Sequence, residues 1–187
     1  MIIIGGSYNP LHIGHLYLAE EARVALGCEK VMIIPSYISA HKNDDTLVEP
    51  RQRLEMVRLG TENVEWITVE DCEIQRGGVS YTIDTVREIK EKYDLREKPG
   101  LVIGDDLIDG FFQWKEYAKL LEEVEVIVAQ RGARRRTDIP FPHQYLNNKI
   151  LPISSSDIRE KIRAGGAYRF LLPEAVFQYI KKNKLYL

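Results

Sequence analysis

The 187-residue chain has little of what would tie it to a membrane, a nucleic acid or an oxidising compartment. Its two cysteines, Cys28 and Cys72, stand far apart and outside any Cys-x-x-Cys or Cys/His cluster. Neither a disulfide framework nor a structural zinc site is expected, and a reducing cytoplasm is the natural compartment. No apolar run approaches the roughly 20 residues that cross a bilayer. The apolar start Met1-Ile2-Ile3-Ile4 is too short for a signal h-region and has no basic segment before it. Neither sign of charge dominates: the formal net charge is -2, which gives no electrostatic reason for a nucleic-acid or membrane partner. There is no internal repeat and no low-complexity segment. What is present is 44% apolar and 29% charged residues. That is an ordinary soluble mixture on a chain long enough for one domain, residues 1–187, with a sizeable core.

Short β-branched runs alternate with helical stretches. Ile2 to Ile4, Val31 to Ile34, Trp66 to Val69, Leu101 to Ile103 and Val124 to Ala129 read as strands, with Ile150 to Ile153 as a sixth. Runs this purely apolar suit strands buried on both faces of a parallel sheet. Helices are expected over Ile13–Leu26, Pro50–Thr61, Ile83–Tyr93, Trp114–Glu122, Ser155–Ala164 and Pro173–Lys182, the last two packing on the sheet. Gly27 and Gly165-Gly166 are suitable helix ends. The alternation predicts an α/β fold, a doubly wound parallel sheet. Gly132 to Asn148 is the least regular stretch and reads as a loop. In such sheets ligands bind beyond the carboxyl ends of the strands. Four distinctive segments follow predicted strands there: Gly5 to His15, Pro35 to Lys42, Gly104-Asp105-Asp106 and Ser154 to Arg159.

Gly5-Gly6 lets backbone approach a ligand closely, and Pro10 stiffens the loop. A helix starting near Ile13 would aim free N–H groups at it, which suits phosphate. His12 and His15, three residues apart, can share one face of that first turn. Their N–H groups could bind phosphate oxygens and stabilise charge that builds up in a transition state. Either histidine alone is more simply a surface or capping residue, but the pair after two glycines and a strand favours function. Zinc is the other use of paired histidines, but no third ligand is evident. Further along, Ser154 and Asp157 have capping-box spacing. A helix N-terminus there, with Ser155, Ser156 and the guanidinium of Arg159, would make a second anion site. A capped helix with a solvated arginine explains the same residues. The first loop tips the balance towards phosphate.

The first segment resembles the signature GG(T/S)FDPxHxGH of the nucleotidyltransferase superfamily, and His12 to His15 spells its HIGH element. Pro152 to Arg159 resembles the ISSTxIR element. Class I aminoacyl-tRNA synthetases share HIGH but are much longer and carry a KMSKS-like loop, which is not found here. His41-Lys42, Arg53 with Glu55-Met56, Ser80 to Thr85, Gly104-x-Asp106 with Trp114, and Leu172-Pro173 to Leu185-Tyr186 match in order. Over essentially its whole length the chain is similar to the bacterial nicotinate-nucleotide adenylyltransferases.

That resemblance implies a Rossmann-like nucleotidyltransferase fold and transfer of an adenylyl group from ATP to nicotinate mononucleotide. The products would be deamido-NAD and pyrophosphate. Mg2+ would be held through the phosphates. Gly5, Gly6, Ser7, His12, His15, Asp106, Ser155, Ser156 and Arg159 are implied on the ATP side. Lys42, Tyr81, Thr82, Trp114 and Asp106 are implied on the acceptor side, with His12, His15, Lys42 and Arg159 in the catalytic group. Plainer readings stand beside three of these: Lys42 as a surface lysine, Trp114 as core packing beside Phe111 and Phe112, and Asp106 as a helix cap. Arg131 matches a basic family position, while Arg134 to Arg136 has no counterpart. The sequence departs from the pattern at Asn9, where the family keeps an aspartate, and at Ser36, where it keeps an asparagine. Rival acceptors are nicotinamide mononucleotide, pantetheine phosphate and glycerol phosphate. A nucleotide-sensing module without catalysis is a different class of function, but it should show degraded phosphate residues. The oligomeric state is left open, a homodimer being one option.

Overall fold

A computed structural model of the chain describes residues 1–40, 48–132 and 138–187. Six parallel strands form the central sheet: β1 (Ile2–Gly6), β2 (Val31–Pro35), β4 (Ile67–Val69), β6 (Gly100–Gly104), β7 (Glu125–Ala129) and β8 (Gln144–Leu146). They lie in the order β4-β2-β1-β6-β7-β8. Counting only these six, the order runs 3-2-1-4-5-6, the doubly wound arrangement. A small parallel pair, β3 (Ile38–Ser39) and β5 (Val79–Ser80), stands apart.

The apolar runs are buried on both faces because successive side chains point to opposite sides. Ile3, Met32, Ile34, Leu101, Ile103, Val126 and Val128 share one cluster. Its helical partners are Ile83, Val86 and Ile89 of α4 (Thr82–Lys92) and Leu120 of α5 (Tyr117–Glu123). Ile2, Ile4, Val102 and Ile127 face the other way, onto Ala19 and Ala22 of α1 (Ile13–Ala25). On that side Ile33 also meets α2 (Pro50–Thr61), α6 (Ser155–Arg163) and α7 (Glu174–Lys182) through Val57, Ile158 and Val176. The expected α/β layering and the first five strands are therefore present. Gly27 and Gly165 end their helices with φ of 61° and 65°.

The sixth strand is not where the sequence placed it. The sheet edge is Gln144–Leu146, paired with Ile127–Ala129, inside the stretch expected to be irregular. Ile150 to Ile153 is coil. Asn148 ends the pairing by donating to the Gln130 carbonyl and accepting from its N–H, at 2.9 and 2.8 Å. Beyond it, Ile153 N–H bonds the Leu151 carbonyl across Pro152 at 2.8 Å, and a proline has no N–H to offer a sheet. The short helix α3 (Cys72–Arg76) and the β3–β5 pair were also not expected. Helix α5 starts later than predicted because Gly110 to Trp114 forms a 3-10 turn. His41, Lys42 and Arg134 to Arg136 lie outside the described residues.

Candidate active site

The strand order reverses at β1, so the crevice beyond the carboxyl ends of β1 and β6 is the natural ligand site. A cavity of about 540 Å³ opens there. Its wall gathers Gly5, Gly6, Ser7, His12 and His15 from the first loop and Ser155, Ser156 and Arg159 from α6. Thr82 and Trp114 come from the middle of the chain. Four segments distant in sequence thus meet as expected, with Ser36, Ser39 and Gly104 completing the wall.

The two leading glycines serve space rather than backbone freedom, since neither has positive φ. A Cβ on Gly5 would meet nothing within 4 Å, so this strand end borders open cavity. A Cβ on Gly6 would stand 3.2 Å from the Tyr8 ring. Tyr8 folds back with φ of 47° and donates its hydroxyl to the Ile4 carbonyl at 2.8 Å. The peptide Asn9–Pro10 is cis. Gly14 makes room for His12, whose Nδ1 would lie 3.0 Å from a Cβ there.

His12 caps α1 and His15 follows within its first turn. Their rings stack with centroids 3.6 Å apart, and the backbone N–H of His12 donates to His15 Nδ1 at 3.2 Å. His12 is 3% exposed. Burial, aided by the positive charge of Arg131, pushes its pKa down to about 4, so the imidazole is neutral at pH 7. Both His12 ring nitrogens, Ser7 Oγ and Ser36 Oγ are buried without a hydrogen-bond partner. All three residues line this one cavity. Buried polar atoms left unpaired are costly, and their collection in one wall marks it as a candidate site for a polar ligand.

Helix α6 completes that side. Ser154 accepts from the Asp157 N–H at 3.1 Å, the expected cap. Ser155 Oγ donates to the Pro10 carbonyl at 2.9 Å. Arg159 donates to the Asn9 carbonyl at 2.8 Å and to Ser156 Oγ at 3.2 Å. The first loop and the start of α6 are therefore bonded to each other. The side chain of Asn9, 2% exposed, accepts from the Tyr186 hydroxyl at 2.6 Å.

The part of the wall that holds Thr82 and Trp114 is built differently. Trp114 belongs to the core and packs on Phe111 with centroids 4.9 Å apart, and it also lines the cavity, so the core packing expected of it is present and its ring still borders the site. Phe112 is exposed. Glu73 of α3, missed by the sequence reading, is a buried carboxylate in the wall. It accepts from Thr85 Oγ at 2.7 Å and bonds Ser80. Burial raises its pKa, and these bonds with Arg76 oppose the rise. A lone glutamate in a five-residue helix carries no sequence signal.

Two expected residues are not in the wall. Tyr81 is 37% exposed, with Lys115 Nζ 4.9 Å from its ring centre. Asp106 sits within a 3-10 turn capped by Gly104 and is not itself the cap. Its carboxylate meets Arg131 at 3.2 Å. Its neighbour Asp105 is the buried one and accepts from the Arg131 N–H at 3.0 Å. Lys42 cannot be placed, being outside the described residues.

The switch-point cavity, with its glycines, paired histidines and capped helix, defines a doubly wound nucleotide-binding protein. Residues 3–161 match the family model described as cytidylyltransferase-like. The chain is 44% identical over 98% of its length to a protein of Borreliella burgdorferi named "Probable nicotinate-nucleotide adenylyltransferase", covering 95% of it. It is 33% identical to one of the same name from Treponema pallidum, covering all of this chain and 98% of the other. The chain belongs to the cytidylyltransferase-like family and, within it, to the nicotinate-nucleotide adenylyltransferases. The fold is also that of a Plasmodium falciparum nicotinic acid mononucleotide adenylyltransferase complexed with NaAD. There the TM-score is 0.80 at 23% identity, over 99% of this chain and 96% of that one. Among the described residues no helix is long and apolar enough to cross a membrane.

Proposed function

We propose that the protein transfers the adenylyl group of ATP to nicotinate mononucleotide, releasing pyrophosphate and deamido-NAD, in the NAD biosynthesis of the cytoplasm. The observation that carries this reading is the set of buried, unpartnered Ser7 and His12 polar atoms facing one cavity. They do so in a chain whose full-length relatives bear that enzyme's name.

A phosphate oxygen of the mononucleotide attacks the α-phosphorus in line. The new P–O bond forms as the bond from the α-phosphorus to the bridging oxygen breaks, and the electron pair leaves with pyrophosphate. No covalent enzyme intermediate is required, so the protein's contribution is positioning and charge stabilisation. Neutral His12 offers one ring N–H, and His15 offers another beside it. Ser7, Ser155, Ser156 and the free N–H groups at the start of α6 bind the triphosphate. Arg159, held at the seam between the loops, meets the same anion. Lys42 is assigned to the attacking phosphate or the triphosphate on the family resemblance alone. On the acceptor side, Thr82 opens α4, whose free N–H groups suit the ring carboxylate, while Trp114 offers the ring a flat wall. Asp106 acts through Arg131, which lines the cavity.

Among the described residues no group of three or more histidine, cysteine or acidic side chains could hold a metal. Ser7, Ser155, Ser156 and Arg159 beside the histidines can donate to phosphate oxygens, and Mg2+ would arrive with those phosphates. Bound there, the ion would neutralise phosphate charge.

The test is pyrophosphate release by the purified protein with ATP, Mg2+ and either nicotinate or nicotinamide mononucleotide. Turnover with the nicotinate form is expected. A preference for the nicotinamide form would move the protein to that acceptor, and turnover with neither would remove the assignment.

A further inference from the structure

One buried charge has no place in the chemistry above. Arg53, on the first turns of α2, is 5% exposed. Its Nη1 donates to the Ser7 carbonyl at 2.6 Å and its Nη2 to the Tyr37 carbonyl at 2.7 Å. Ser7 belongs to the loop assigned to the nucleotide. Tyr37 lies between Ser36 and Ser39, which line the cavity beyond β2. The Tyr37 N–H donates to Ser80 Oγ at 3.0 Å, and Ser80 is held by Glu73. A single planar fork therefore bridges the two segments on which the reactants would sit, and Tyr37 continues the tie to β5. A guanidinium is expensive to take out of water. Spanning two carbonyls with fixed geometry is what its rigid fork does and a lysine ammonium does not.

We infer that Arg53 is a positioning residue which sets the spacing between the nucleotide loop and the acceptor segment, and so between the attacking oxygen and the α-phosphorus. This rests on the adenylyl-transfer reading above. A residue that sets spacing contributes to the reacting geometry more than to the binding of either substrate alone, because each segment still holds its own ligand.

The experiment compares native protein, Arg53→Lys, Arg53→Gln and the control Arg58→Ala. Arg58 lies on the same helix, exposed and paired with Asp71. Steady-state rates are measured with ATP, Mg2+ and nicotinate mononucleotide, the binding of each substrate alone by calorimetry, and folding by thermal melting. Arg53→Lys and Arg53→Gln are expected to fold. Their kcat should drop roughly 10- to 100-fold while each separate Kd moves less than about threefold, the pattern of misplaced reactants. Arg58→Ala should match the native rate. Native kcat in a folded Arg53 variant overturns the inference, as does a loss confined to the binding of one substrate. Failure of both Arg53 variants to fold overturns it too, because Arg53 then serves the fold. An inactive native protein overturns the functional reading and this inference with it, whereas an active native protein beside fully active variants overturns the inference alone.

Discussion

The two walls of the cavity are built on opposite terms. On the nucleotide side, polar atoms of Ser7 and His12 are buried without partners, and the loop is held by bonds from Ser155 and Arg159 to main-chain carbonyls. On the side of Thr82 and Trp114, most buried polar groups already have partners, as in Thr85 with Glu73 and Ser80 with the Tyr37 N–H, Ser36 Oγ being the exception. There Trp114 doubles as core. The first wall keeps unused hydrogen-bonding capacity, which costs some stability and which the proposed function would use for a polyanion. The second wall is packed in advance, and under the proposed function it would offer its shape to a flat ring.

That contrast can be broken by four measurements, taken from the largest effect down. Trp114→Ala should cost about 3–5 kcal/mol of stability, as for a large aromatic in a core, and raise the KM for the mononucleotide more than that for ATP. Denaturant unfolding and kinetics on the same variant check it, and an unchanged unfolding midpoint would show that the ring is not core. His15→Ala should do the reverse. A loss of about 2–4 kcal/mol in transition-state stabilisation is expected, with an unfolding curve close to native; a native rate would remove the role given to it.

The third concerns pH. His12 is held neutral in the folded protein, with its pKa near 4, while an unfolded histidine titrates near 6.5. Between these values the unfolded chain binds the extra proton, so stability rises with pH. The contribution is complete above about 6.5 and falls by about 1.4 kcal/mol per unit as pH drops towards 4. His12→Gln should flatten that slope in denaturant titrations run at several pH values, and an unchanged slope would place the titration elsewhere. The smallest effect belongs to the loop's far anchor. Tyr186→Phe removes the hydroxyl bonded to Asn9 and should cost about 1–2 kcal/mol of stability, with substrate KM values little changed. A large rise in the KM for ATP would instead make Asn9 part of the nucleotide contact.

The legible parts of the molecule were those encoded by neighbours in sequence. The five central strands followed from apolar runs, α4 from Ile83, Val86 and Ile89 at helical spacing, and the α6 cap from Ser154 and Asp157. The stacked histidines needed only a three-residue spacing. The edge strand was misplaced because Ile150 to Ile153 is richer in apolar residues than Gln144 to Leu146. Strand formation at an edge depends on which backbone finds a partner, and Asn148 and Pro152 decide that locally. Helix α3 and Glu73 were not legible, since five residues show no period and a lone carboxylate has no pattern.

The sequence by itself determined the family, the parallel α/β layering and the local form of the segments proposed to bind anions: glycines, paired histidines and a capped helix. These are properties of contiguous segments, fixed by backbone geometry within one turn or one strand. Only the tertiary structure decided which residues reach the cavity. It left Tyr81 and Asp106 outside the wall and brought Glu73 and Ser36 into it. It also set the buried fork of Arg53 between Ser7 and Tyr37. Those placements depend on burial and on partners tens of residues away, so they are settled when the sheet closes and each polar group either finds a partner or is left facing the cavity.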